Sequence, residues 1–161
     1  MREACIITPE NVAGLVVGEG CFYAESAPDS KYRSGWRIRP AFCIEMRGDD
    51  REILEEVRSH LDCGQIYALD FGRYRGYEAR GWMPHAKYRV GRLSDLRAKV
   101  VPFFLRYPLF GRKAMGFKLF AELVDLLDAR VHRTPEGLVQ AKNVAEMLRE
   151  HNRRGVRHHR D

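Results

Sequence analysis

The chain has 161 residues, 45% of them hydrophobic, which suits one globular domain with a sizeable buried core. No run approaches the ~18 to 20 apolar residues of a membrane span, and the opening MREACIITPE lacks the basic-then-apolar layout of a secretory leader. Lys and Arg number 28 against 22 acids, a net +6 carried mostly by arginine, which favours an anionic partner, with nucleic acid the leading candidate.

These totals read as an intracellular protein with no membrane partner. Four cysteines, at 5, 21, 43 and 63, show no C-x-x-C spacing, so they read as reduced thiols, not as a zinc site or a dense disulfide framework.

In chain order, Pro9 to Gly18 has helical character and runs through Gly-Glu-Gly into CFYAES, which alternates like a strand. Turn residues fill APDSKYRSG, and WRIRPAFCIEMR resumes the alternation, so residues 21 to 47 form a hairpin. Asp49 and Asp50 supply N-terminal acids for a second helix, in which Ile53, Leu54, Val57 and Leu61 share a face. QIYALDF is a third strand, RYRGYEARGWMPH a long loop, and AKYRVGRL the partner strand. Helical periodicity returns at Ser94 to Phe104, Lys113 to Ala129 and Pro135 to Asn152. Residues 1–152 read as one domain, and 153–161 as a disordered basic tail.

Two hairpins interleaved with helices imply an α+β fold with an αββαββα core. A four-stranded antiparallel sheet would carry its helices on one face. In the second strand Trp36, Ile38, Phe42 and Ile44 point to the core, while Arg37, Arg39, Ala41, Cys43 and Glu45 point away. In the fourth, Tyr88 and Val90 point inward and Lys87 and Arg89 outward; Tyr23, Glu25, Gln65 and Tyr67 join the outward set. Such side chains read base edges and grip phosphates, although an ordinary solvated sheet face would also be charged.

The first helix holds two local costs. Gly14 and Gly18 each lose about 1 kcal/mol relative to alanine, and Glu19 sits where the helix dipole disfavours an acid. A second helix packed against the glycine stripe would explain the first cost, and a hard cation the second. If the partner were the same helix of a second subunit, two copies of Glu19 would meet, and bridging metals would relieve their repulsion. An ordinary helix end with an exposed acid is the simpler alternative.

The stretch NVAGLVVGEGCF resembles the signature helix of the LAGLIDADG homing endonucleases, with Val12 to Gly20 covering the motif. Further pieces follow in family order: FCIEMR, CGQIY, YRVGRLSDL, VVPFF and YPLFGRKAMGFKLFAELVDLL, so the resemblance spans Pro9 to Asn152. It implies a saddle-shaped sheet in the DNA major groove and hydrolysis of both strands with 3′ overhangs. With one signature helix, it implies a homodimer on a long pseudo-palindromic site, with Ala13, Gly14, Val17 and Gly18 at the dimer interface.

The resemblance further implies that Glu19 and the Gly18 carbonyl bind Mg²⁺, with Mn²⁺ as a substitute and Ca²⁺ binding without cleavage. Lys113 falls where the family has a lysine near the scissile phosphate. Tyr23, Glu25, Arg37, Arg39, Cys43, Glu45, Gln65, Tyr67, Lys87 and Arg89 become DNA contacts, with Arg73, Arg75 and Arg80 on phosphates. Val17 replaces the first motif aspartate. Met46 stands where many relatives place a water-ordering glutamine, and Asp50 or Arg51 is the nearby substitute.

That departure keeps open a cleavage-deficient relative acting as an intron-splicing maturase, with intron RNA as partner, or as a DNA-binding protein. An RNA-binding sheet is a third reading, but it needs stacked aromatics on adjacent central strands, and only Tyr23 and Tyr67 offer them. The implied location is the cytoplasm or nucleoid of a prokaryote, or an organelle if organelle-encoded.

Overall fold

The computed structural model describes residues 6–69 and 84–157. Helix α1 (Pro9–Glu19) opens with a capping box, in which the Thr8 hydroxyl accepts from the Asn11 amide and the Asn11 side chain accepts from the Thr8 amide. Strands β1 (Gly20–Pro28) and β2 (Trp36–Arg47) form the first hairpin. A single 3₁₀ turn, Gly48–Asp50, leads into α2 (Arg51–Leu61). Strands β3 (Gln65–Leu69) and β4 (His85–Val90) form the second antiparallel pair.

The sheet order is β1-β2-β4-β3, with every neighbouring pair antiparallel. This is the α+β architecture expected from the alternating pattern. Phe22, Phe42, Ile44, Tyr88 and Val90 alternate onto one face and pack with Val12 and Val16 of α1, Leu54 and Val57 of α2, and the later helices. Phe22 stacks on Phe42 with ring centroids 4.9 Å apart and meets Phe104 edge-on at 5.7 Å. Tyr88 is fully buried because its hydroxyl donates to the Cys63 carbonyl at 2.7 Å. The turn ahead of β3 needs Gly64: its φ is +83°, and a Cβ there would come within 2.7 Å of the Tyr88 ring.

Helix α3 comprises three consecutive segments, Leu93–Asp95, the π-helical Leu96–Val100, and Val101–Arg106. Pro102 explains the π segment: it has no N–H to donate to the Ala98 carbonyl, so the hydrogen-bond ladder slips ahead of it. Helix α4 (Arg112–Asp128) and α5 (Pro135–Arg157) complete the chain, flanking the one-turn 3₁₀ segment Val131–Arg133. Leu123, Leu127, Ala141, Val144 and Ala145 form a smaller cluster between α4 and α5.

Helix α5 continues to Arg157, beyond the end at Asn152 read from the sequence. Arg153 and Arg154 both pair with Glu150, at 3.6 and 3.5 Å, and these one-turn contacts carry the helix onward. Residues 158–161 of the expected tail lie outside the described residues.

Candidate active site and nucleic-acid interface

Glu19 is exposed at the last position of α1, and the helix's final turn contains no basic residue. The chain then enters β1 with no intervening turn: Gly20 is already extended (φ −80°, ψ 156°), and its N–H donates to the Val16 carbonyl. Only glycine fits this junction, because a Cβ on Gly20 would lie 2.6 Å from Val16 Cγ1 and 2.8 Å from the Val16 carbonyl oxygen. Glu19 is therefore held at a sharply defined helix-to-strand corner.

Lys113, in the first turn of α4, reaches this corner. Its half-buried ammonium donates to the Gly20 carbonyl. The start of α4 is itself fixed to α5, since Arg112 Nη2 donates to the His151 carbonyl and His151 Nε2 donates to the Arg112 carbonyl, both at 3.0 Å. Asn152 Nδ2 donates to the Phe22 carbonyl at 2.9 Å, so two helices brace the beginning of β1.

The sheet face away from the core is ordered in rows by strand register. Glu45, Lys87 and Tyr67 lie across β2, β4 and β3; Cys21, Cys43, Arg89 and Gln65 span all four strands; Tyr23 faces Ala41 and Glu25 faces Arg39. Local hydrogen bonds pre-set several of these side chains. Arg89 Nε donates to the Tyr23 hydroxyl at 3.3 Å, Tyr67 donates to Gln65 Oε1 at 2.8 Å, and Arg39 donates through Nε and Nη2 to the Tyr32 hydroxyl at 3.2 and 3.0 Å. The neighbouring Cys43 thiol holds the Cys21 thiol below its ordinary range, aided by Lys113 and Lys87 and opposed by burial. Cys21, together with burial, pushes the Cys43 thiol up.

Not every sequence-predicted position takes the place expected of it. Met46 packs against the hydrophobic core, on the face opposite Glu45 and Arg47, because strand alternation turns it inward with Phe42 and Ile44. Cys43 and Ala41 are on the outward face yet are 8% and 0% exposed, so neither offers an open contact surface. Arg37 is committed to Asp29, with Nη1 at 3.1 Å from Oδ2, and its buried Nε has no partner among the described residues. Asp50 is exposed in the turn ahead of α2. Ala13 is buried within its own chain and Val17 half-buried, whereas Gly14 and Gly18 form the exposed part of the α1 stripe. Arg73, Arg75 and Arg80 lie outside the described residues.

Three residues escape a sequence reading. His85 Nδ1 lies 3.0 Å from Glu45 Oε1 at the end of the outward face, and extending β4 by one residue would have put it in the Lys87–Arg89 set. Tyr32, in the hairpin turn, holds Arg39. Cys21 directly faces Cys43, a pairing visible only once the register is known.

As a metal site, one chain supplies oxygen donors suited to a hard cation, the Glu19 carboxylate and the Gly18 carbonyl, which belongs to the last helical turn and has no intrahelical amide to accept from. Among the described residues no group of three or more His, Cys, Asp or Glu could hold a metal ion, so a complete site needs ligands from outside this set.

Comparison with known proteins gives a family. A family model described as LAGLIDADG endonuclease matches residues 12–124. A Neurospora crassa protein described as "Probable intron-encoded endonuclease 3" is 28% identical over 138 residues, which cover 86% of this chain and 24% of that protein. The chain thus spans about a quarter of the length of the curated relatives it matches. The homing endonuclease I-TnaI superposes with a TM-score of 0.73 at 26% identity, over 92% of this chain and 97% of that one. I-SmaMI bound to cleaved DNA superposes with a TM-score of 0.76 at 27% identity, over 90% of this chain and 45% of that one. The matched segment runs from the start of α1 through its glycines, the Glu19 corner and Lys113 to Val124 within α4, and on that basis the chain belongs to the LAGLIDADG endonuclease family.

Proposed function

We propose that the protein is a site-specific, metal-dependent endonuclease of double-stranded DNA that acts as a homodimer on a pseudo-palindromic target and leaves 3′ overhangs. The observation that carries this reading is the Glu19 corner, with an exposed acid at the end of α1 and Lys113 bound to the adjoining Gly20 carbonyl, at the edge of a basic sheet face. The DNA-bound state of I-SmaMI supports the choice of partner.

Glu19 and the Gly18 carbonyl are the groups that would hold Mg²⁺; Mn²⁺ would substitute, and Ca²⁺ would bind without cleavage. When bound, the metal would supply activation of water and stabilisation of the leaving 3′ oxygen. The Lys113 ammonium has three N–H donors and spends one on Gly20, so two remain for a phosphate oxygen as charge develops. Arg39, Lys87, Arg89, Tyr23, Glu25, Glu45, Gln65 and Tyr67 form the recognition face, and their mutual hydrogen bonds lower the entropy cost of ordering them on DNA. Arg73, Arg75 and Arg80 would add contacts to phosphates.

Dimerisation is supported by the α1 stripe. Gly14 and Gly18 are exposed, and a Cβ on either would meet no atom within 4 Å among the described residues, so the described fold does not demand glycine there. A second α1 against that stripe would demand it, and it would bring a second Glu19 to the metal site. A cleavage-deficient DNA-binding protein or maturase for intron RNA is the second reading, favoured by Met46, whose burial against the core leaves no water-ordering side chain at that position. Incubation of target-containing duplex with Mg²⁺ tests the two: metal-dependent cutting abolished in Glu19→Gln supports the nuclease, and selective binding without cutting supports the second reading.

A further inference from the structure

We propose that Cys21 and Cys43 form an oxidative modification site, a cross-strand dithiol that closes to a disulfide under hydrogen peroxide and reopens with a thiol reductant. The two residues are directly opposed in the antiparallel β1–β2 register, and both side chains lie on the outward face of the sheet. Directly opposed residues in such a ladder have Cα atoms about 4.5 or 5.5 Å apart, and both values fall within the roughly 4.4 to 6.8 Å that a disulfide spans. Closing the bond therefore requires side-chain rotation without displacement of either strand.

Exposure orders the chemistry. Cys21 is half-buried and Cys43 is 8% exposed, so peroxide meets Cys21 first. The Cys21 sulfur attacks one peroxide oxygen; the O–O bond breaks, giving a sulfenic acid and one water. The Cys43 sulfur then attacks the Cys21 sulfur; the S–S bond forms, the S–O bond breaks, and a second water leaves with the Cys43 proton. The two thiols are oxidised by two electrons, and the peroxide is reduced to two waters. A resolving thiol directly opposite in the ladder intercepts the sulfenic acid before further oxidation. Cys63 follows α2 and lies on neither strand of this pair.

The location gives the modification a consequence, which rests on the nuclease reading above. Cys21 follows the Gly20 that holds Lys113 and shares a row with Arg89 and Gln65, so bound DNA would cover it. Oxidation is then confined to protein that is not on DNA.

The test treats the full-length chain with hydrogen peroxide, alone and with saturating mixed-sequence duplex DNA at low salt, and maps cysteine peptides by mass spectrometry without reduction. The expected product is one Cys21–Cys43 cross-linked peptide, lighter by two hydrogens and lost on adding dithiothreitol. Cys21→Ser and Cys43→Ser should each abolish it, and Cys21→Ser, at the more exposed position, serves if the other misfolds. At a DNA concentration 100-fold above Kd, closure should slow about 100-fold. Sulfinic or sulfonic acid on Cys21 without a cross-link, a disulfide to another cysteine, or intact thiols after Cys63 has oxidised would each overturn the site. Closure at an undiminished rate on saturating DNA would leave the disulfide standing and overturn this face as the DNA face.

Discussion

The Lys113 ammonium donates to the carbonyl of Gly20, the residue that follows Glu19 at the corner between α1 and β1. That bond joins the first turn of α4 to the end of α1, and places a cation and an acid at one edge of the basic face. Lys113→Ala should lower single-turnover cleavage about 10² to 10³-fold, as for loss of one preorganised donor. Loss of the bond should cost at most about 1.5 to 3 kcal/mol in denaturant unfolding. If cleavage changes no more than stability does, the lysine only braces the fold.

The α1 glycines should behave in opposite ways. Gly20→Ala forces a Cβ onto Val16 and should destabilise the protein by about 1 to 3 kcal/mol. A Cβ at Gly14 meets no described atom of its own chain within 4 Å, so in Gly14→Leu the isolated protomer should gain helix propensity of about 0.5 to 1 kcal/mol. Light scattering should nevertheless show the dimer lost. A variant that is more stable and still dimeric would mean that the second subunit packs elsewhere.

Recognition should depend on how the hairpin turn holds Arg39. Arg39→Ala should relax preference at particular base pairs by about 1 to 3 kcal/mol, measured by profiling a partly randomised target. Tyr32→Phe removes the hydroxyl that accepts from Arg39, and should disturb those same base pairs more mildly. Replacing Arg75 should weaken all sequences alike and lower the salt slope by about one.

Burial, reinforced by Arg133, holds the His132 imidazole below its ordinary pKa, and its Nδ1 has no partner among the described residues. The unfolded chain therefore takes up a proton that folded His132 resists. The stabilisation is complete above about pH 6.5 and is lost as pH falls through the lowered folded value. Unfolding midpoints should fall as pH drops below about 6.5, and His132→Gln should flatten that part of the profile. An unchanged slope in the variant would assign the acid sensitivity to other groups.

The fold was legible because local patterns agree with one another. Alternation in β2 and β4 and the helical faces of α2 and α4 give the element order, and the turn residues separate the hairpins. Glu19 and Lys113 were named through the family resemblance, and tertiary packing brings Lys113 to the Gly20 carbonyl beside Glu19. Less was legible where side-chain fate depends on neighbours in space. Arg37 looked like a free cation until Asp29 from the turn engaged it, and Cys43 looked open until the register set it between Cys21 and Arg89. Met46 matched a family position by alignment, but its place in the alternation turned it into the core. The π segment of α3 follows from Pro102, whose missing N–H shifts the ladder without ending the helix.

Metal-dependent cleavage at the Glu19 corner is tested by digesting a randomised duplex DNA pool with Mg²⁺, comparing wild type with Glu19→Gln and sequencing the cut ends. Recurrent cuts with short 3′ overhangs at a near-palindrome are expected from the wild type and none from the variant. Cutting that persists in Glu19→Gln, or selective binding of the pool with no cut ends from the wild type, would contradict it.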